Sequence, residues 1–206
     1  MKLSKERLRQ LIKEELNYLI KEYDVSSLHS RDAGPDGEEI KLSGALLAAD
    51  RDFVSKVNNV ALQISANPDH LMNIMKFESG LDPAIVNSAS GATGLIQFMP
   101  ATARSLGTTT AQLGDMSGLD QMDFVSDYFS GSGPYDSATD LYLKVFYPYA
   151  INQEGDYIIG SEVSLARAQQ IAEQNPYFDK NEDGLVSKQS IVDKMEAVIN
   201  RAAARV

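Results

Sequence analysis

Cysteine is absent from the 206-residue chain, and histidine occurs only at His29 and His70. The first absence excludes disulfide frameworks, thiolate zinc sites and cysteine nucleophiles. The second excludes a histidine-rich metal site. Basic charge is also short: 19 Lys and Arg stand against 29 Asp and Glu, a net charge of −10. A chain so acidic lacks the basic face that nucleic-acid binding needs, and no nucleic-acid partner is expected. No apolar run reaches the roughly 20 residues of a membrane span. The first residues are too charged for a secretory signal peptide, so delivery beyond the cytoplasm would need another route.

What is present suits a globular chain. Hydrophobic residues make up 43%, which at this length is enough to bury roughly 70% of the unfolded surface without a disulfide or metal. Residues 1–23 place Leu8, Leu11, Ile12, Leu16, Leu19, Ile20 and Tyr23 at helical spacing, with Ser4 as a cap. Six Lys and Arg against four Glu give this segment a net charge of +2. Such an amphipathic helix fits docking to a partner protein or packing on its own domain. Residues 24–44 hold few large apolar side chains and the turn Gly34-Pro35-Asp36-Gly37, which marks a linker.

The remainder reads as mostly α. Asn67 and Pro68 start a helix that Gly80 ends, and Pro100 starts another that stops at Gly107. Ser117 caps a helix running to about Ser130, and Ser137 with Asp140 resembles a capping box. A helix through Ala172 and a last helix from about Lys188 follow; Tyr157-Ile158-Ile159 reads as a short strand. The expected organisation is a main domain over 45–160 and C-terminal helices over 161–206.

The informative stretch is residues 76–107. Glu78 falls on the last turn of an amphipathic helix, beside Phe77. Apolar neighbours would raise its pKa, as glycoside cleavage requires of the group that protonates a leaving oxygen. Small residues from Ser88 to Gly94 would let a polymer approach the backbone. Gln97 then stands among apolar side chains, suited to hydrogen-bonding a sugar. Taken alone, a glutamate at a helix end is more often a solvated charge.

Glu78-Ser79, the small-residue loop, Gly94-Leu95-Ile96-Gln97-Phe98-Met99-Pro100 and Ala101-Thr102-Ala103 resemble the soluble lytic transglycosylase catalytic domain in order and spacing. The resemblance implies a lysozyme-like fold and cleavage of peptidoglycan glycan strands. It implies Glu78 as the single acid/base and Ser88, Gln97 and Met99 as substrate contacts, with no cofactor needed for catalysis. The product would be a 1,6-anhydro sugar.

The family's A-Y-N-A-G stretch, whose tyrosine supports the glutamate, has no counterpart. Asp140–Ala150 stands in its place and, with Leu119–Val125 before it, resembles bacteriophage and phage-like cell-wall enzymes. This branch implies a virion component or lysis enzyme acting at the bacterial cell wall or periplasm, with residues 1–23 as the contact for a virion protein. Tyr147 is the first candidate for the supporting hydroxyl and Tyr142 the second; either could instead be a core aromatic. Hydrolysis by a muramidase is the competing reaction. It needs a second carboxylate, for which Asp82, Asp120 and Asp123 are the candidates. A structural protein on a retired enzyme fold is the rival from another class.

Residues 179–190, DKNEDGLVSKQS, follow the alternating oxygen pattern of an EF-hand loop. Asp179, Asn181 and Asp183 take the first, third and fifth places, with Gly184 at the turn. The Leu185 carbonyl and Ser187 follow, and Ser190 stands where a bidentate glutamate is usual. Either Ca²⁺ binds here at reduced affinity, or the loop is an Asx-rich turn that caps the last helix.

Overall fold

The computed structural model describes residues 51–203. The expected helix over 1–23 and linker over 24–44 lie outside the described residues.

Eight α-helices make up the described architecture: α1 Arg51–Gln63, α2 Pro68–Ser79, α3 Pro100–Ser105, α4 Thr110–Gly114, α5 Gly118–Phe129, α6 Ala138–Phe146, α7 Leu165–Gln174 and α8 Lys188–Ala203. A single 3₁₀ turn, Pro148–Ala150, follows α6. The fold is mostly α, as expected, and none of the described helices is long and apolar enough to cross a membrane.

Local chemistry sets the helix boundaries. The Asn67 side chain accepts from the Asp69 N–H at 2.8 Å, Pro68 supplies the first helical φ, and Gly80 ends α2 at φ +66°. Ser117 and Ser137 cap α5 and α6 by accepting from the N–H three residues on. The short α4, capped by Thr109, was not anticipated; five residues show no hydrophobic period. The expected strand at Tyr157–Ile159 is a single bridge, Ile158 to Ser187.

Helix α2 packs against α1, α6 and α8. Leu71, Ile74 and Met75 are fully buried on it, and this spacing keeps them on its inward faces. The same core takes in Phe178, Val186, Ile191 and Met195 from the C-terminal segment. Phe178 lies against the rings of Tyr142 and Phe146, at 5.7 and 5.4 Å. This packing brings the chain around 175–178 and helix α8 to the C-terminal end of α2, where Glu78 lies.

Candidate active site

Glu78 sits on the last turn of α2 and opens into a cleft of about 500 Å³. Its neighbour Ser79 holds that helix end. The buried Ser79 hydroxyl lies 2.8 Å from the Met75 carbonyl and 3.0 Å from the Leu95 carbonyl, and it accepts from the Leu81 N–H at 3.2 Å. The Glu-Ser pair therefore joins the carboxyl-bearing helix to the Gly94–Met99 loop.

Gln121 braces the other side of that loop. Fully buried on α5, it accepts from the Leu95 N–H at 2.9 Å and donates to the carbonyls of Pro83 at 2.6 Å and Leu113 at 2.7 Å. Gly94 has φ +82°, and a Cβ there would come 2.4 Å from the Gln121 oxygen, so any side chain would strain the backbone and displace the Gln121 amide. Bridges between Val86 and Thr93 and between Thr93 and Phe98 complete the loop. Gln121 lies within the segment singled out from sequence, but nothing in that pattern marked it as the brace.

Gln97 lines the cleft, and its amide nitrogen donates to the Gly94 carbonyl at 3.1 Å. Met99, 47% exposed, also lines the cleft, as does Tyr142. Ser88 is exposed on the loop, while its neighbour Asn87 is the residue at the cleft wall. The Asn87 side chain accepts from the N–H groups of Ala89 and Ser90 and shapes the loop around Ser88.

Of the two candidate tyrosines, Tyr142 lines the cleft and Tyr147 does not. Tyr147 ends α6 with φ −157°, and its hydroxyl donates to Glu162, which also accepts from Tyr157. Tyr142, one turn earlier, shares the cleft with Glu78. Beside it on the cleft wall, the Tyr177 hydroxyl donates to Asn175 Oδ1 at 3.1 Å. The Phe77 ring meets Tyr142 and Tyr177 edge-on, at 5.5 and 6.1 Å. Asn175, Tyr177 and Lys194 complete this wall. None of the three was expected from sequence.

Burial pushes the Glu78 carboxyl from its ordinary 4.5 up to about 7. Burial and the nearby Glu78 charge both hold Tyr142 well above the ordinary tyrosine value. Among the described residues, Glu78 is the only carboxyl lining the cleft. Asp82 accepts from the Ala84 N–H, Asp120 from the Ser117 hydroxyl and Asp123 from Lys56, all outside it.

The 179–190 loop satisfies itself. Asp179 accepts from the N–H groups of Asp183 and Gly184, at 3.2 and 2.9 Å. Asp183 accepts from the Leu185 N–H at 2.9 Å and from Asn181 Nδ2 at 2.8 Å. Ser190 lies in the first turn of α8, its hydroxyl donating to the Ser187 carbonyl at 2.8 Å. Its N–H donates to the Ser187 hydroxyl. These are the bonds of an Asx-rich turn. At the alternating positions the side-chain oxygens are the carboxylates of Asp179 and Asp183, the carboxamide of Asn181 and the hydroxyl of Ser187. No group of three acidic or histidine residues suited to a metal occurs among the described residues.

Residues 56–122 match the family model of the Transglycosylase SLT domain. The match supports lytic transglycosylase activity in general, the cleavage of glycosidic bonds in peptidoglycan, on a lysozyme-like all-α fold. It spans Glu78 and the Gln121 brace and stops short of α6 and the 175–194 wall. No curated protein matches the chain.

Proposed function

We propose that the chain is a peptidoglycan lytic transglycosylase that breaks the β-1,4 bond between N-acetylmuramic acid and N-acetylglucosamine, with Glu78 as its single acid/base. The observation that carries this reading is a lone, desolvated carboxyl in an open cleft, with its pKa raised to about 7. Near neutral pH such a group is substantially protonated and can protonate the glycosidic oxygen as the bond breaks. The resulting carboxylate then takes a proton from the muramic C6 hydroxyl while that oxygen attacks the anomeric carbon. The proton is returned, a 1,6-anhydro ring closes and no water is consumed.

A muramidase would place a second carboxylate about 5–10 Å away, as nucleophile or to activate water. The lining described above offers none, which favours the internal hydroxyl as nucleophile. Tyr142 and Gln97 supply polar contacts beside Glu78, and Met99 an apolar one. The resemblance of Leu119–Val125 and Asp140–Ala150 to phage-like wall enzymes supports action at the bacterial wall, from a virion or during lysis. Residues 1–23 would then dock on a virion protein. We also propose Ca²⁺ as a ligand of the 179–190 loop. Asp179, Asn181, Asp183, the Leu185 carbonyl and Ser187 would hold it weakly, because Ser190 replaces a bidentate glutamate. The proton transfers above use Glu78 alone.

Mass spectrometry of fragments released from purified peptidoglycan tests the reaction. Anhydro-muramic ends that disappear with Glu78→Gln are expected. Reducing ends, heavier by one water, would establish a hydrolase. No release from sacculi of several chemotypes would favour a structural protein.

A further inference from the structure

The cleft wall opposite the Gly94–Met99 loop is built by a part of the chain beyond the Transglycosylase SLT match. Lys194, on α8, holds its ammonium 5.5 Å from the centre of the Tyr177 ring. Asn175 fixes that ring by accepting from the Tyr177 hydroxyl, while its Nδ2 donates to the Ile171 carbonyl at 2.9 Å. The ring is 47% exposed and presents a flat face at the cleft.

The charge on Lys194 has no partner among the described residues. Its neighbour Asp193 is already held by Lys180 at 3.0 Å and Gln189 at 2.8 Å. No ion pair joins it to Glu78 among the described residues. Among the described residues, Lys194 is thus the only cation lining the Glu78 cleft, in a chain of net charge −10. An uncharged sugar has no use for it, whereas a carboxylate beside the scissile bond does.

We propose that Lys194 and the Tyr177 ring form a specificity subsite for a carboxylate-bearing arm of the glycan, the ammonium binding the carboxylate and the ring supporting the arm's apolar part. This rests on the peptidoglycan reading, because the peptides of that polymer carry such carboxylates. Asn175 positions the ring.

The test compares wild type, Lys194→Met and Lys194→Arg on native peptidoglycan and on the same material with its carboxylates capped as methylamides. Lys194→Met should raise KM about tenfold on native material, equivalent to about 1.4 kcal/mol, with kcat changing far less. Capping should raise the wild-type KM by a similar factor, and Lys194→Met should then add less than about twofold to that loss. Lys194→Arg should recover most of the native KM, because it keeps the charge. An equal effect of Lys194→Met on both substrates, or no effect on either, overturns the subsite. If wild type cleaves neither substrate, the catalytic reading fails, and co-sedimentation with native and capped sacculi decides the subsite separately. Retention that needs both the carboxylates and Lys194 supports it; equal retention of all three proteins overturns it. Circular dichroism of each variant shows whether its fold is intact.

Discussion

Glu78 should make the protein less stable as the pH rises through neutrality. A carboxyl moved from 4.5 to about 7 by burial is favoured in the folded state only while protonated. Below about pH 4.5 it is neutral in both states and opposes nothing. Between about 4.5 and about 7 the unfolded chain ionises first, so stability falls as pH rises, and above about 7 the whole penalty remains. At about 1.4 kcal/mol per pH unit, the span from 4.5 to about 7 sets an upper bound near 3 kcal/mol. The cleft is open to water, which screens the charge and brings the expected penalty to roughly 2 kcal/mol. Gln is nearly isosteric and never ionises. Glu78→Gln should therefore match wild type at about pH 4 and melt roughly 4–8 °C higher at about pH 8.5, at about 2–4 °C per kcal/mol for a chain of this size. Paired calorimetric scans across that range measure the difference, and all other carboxylates cancel between the two proteins. A melting difference that stays flat with pH would refute the claim that Glu78 is desolvated. The same titration predicts that kcat/KM falls about tenfold per pH unit above about 7, as the proton donor is lost.

Three further outcomes follow from the same contacts. Gln121→Leu removes three hydrogen bonds, to the backbone of Leu95, Pro83 and Leu113, and should destabilise by roughly 3 kcal/mol, seen as a melting point lowered by roughly 6–12 °C; it should also weaken the coupling measured against Gly94→Ala, whose added Cβ meets the Gln121 oxygen. Tyr142→Phe should lower kcat/KM roughly tenfold, the value of one lost hydroxyl contact beside Glu78, while Tyr147→Phe, whose hydroxyl serves Glu162, should stay within about twofold; equal losses would return Tyr147 to the site. Millimolar Ca²⁺ should raise the melting temperature slightly, in keeping with a weak oxygen-ligand site. That rise should vanish with Asp183→Asn; no shift at all would leave the loop as a turn held by its own hydrogen bonds.

What could be read from sequence divides along a physical line. Asn67, Ser117 and Ser137 cap their helices through bonds to N–H groups two or three residues away, so each boundary is written locally. Glu78 was legible for the same reason, since a helix end and its flanking apolar residues lie within a dozen positions of sequence. The ordering of the tyrosines needed only helical arithmetic. Counting by four from Tyr142 reaches Phe146, whose ring stacks on it at 5.6 Å, whereas Tyr147 is the cap and leaves the helix path. Asn175, Tyr177 and Lys194 carry no such local mark. They reach the cleft because Phe178 is buried against Tyr142 and Phe146, a contact spanning more than thirty residues of sequence. Gln121 was hidden in another way: its three partners are backbone groups of Pro83 and Leu95 on loops and of Leu113 in α4, and no side-chain pattern announces them. The half of the cleft that bears the proton is thus built from neighbours in sequence. The half proposed to read the substrate's charge is built by the core, and only packing reveals it.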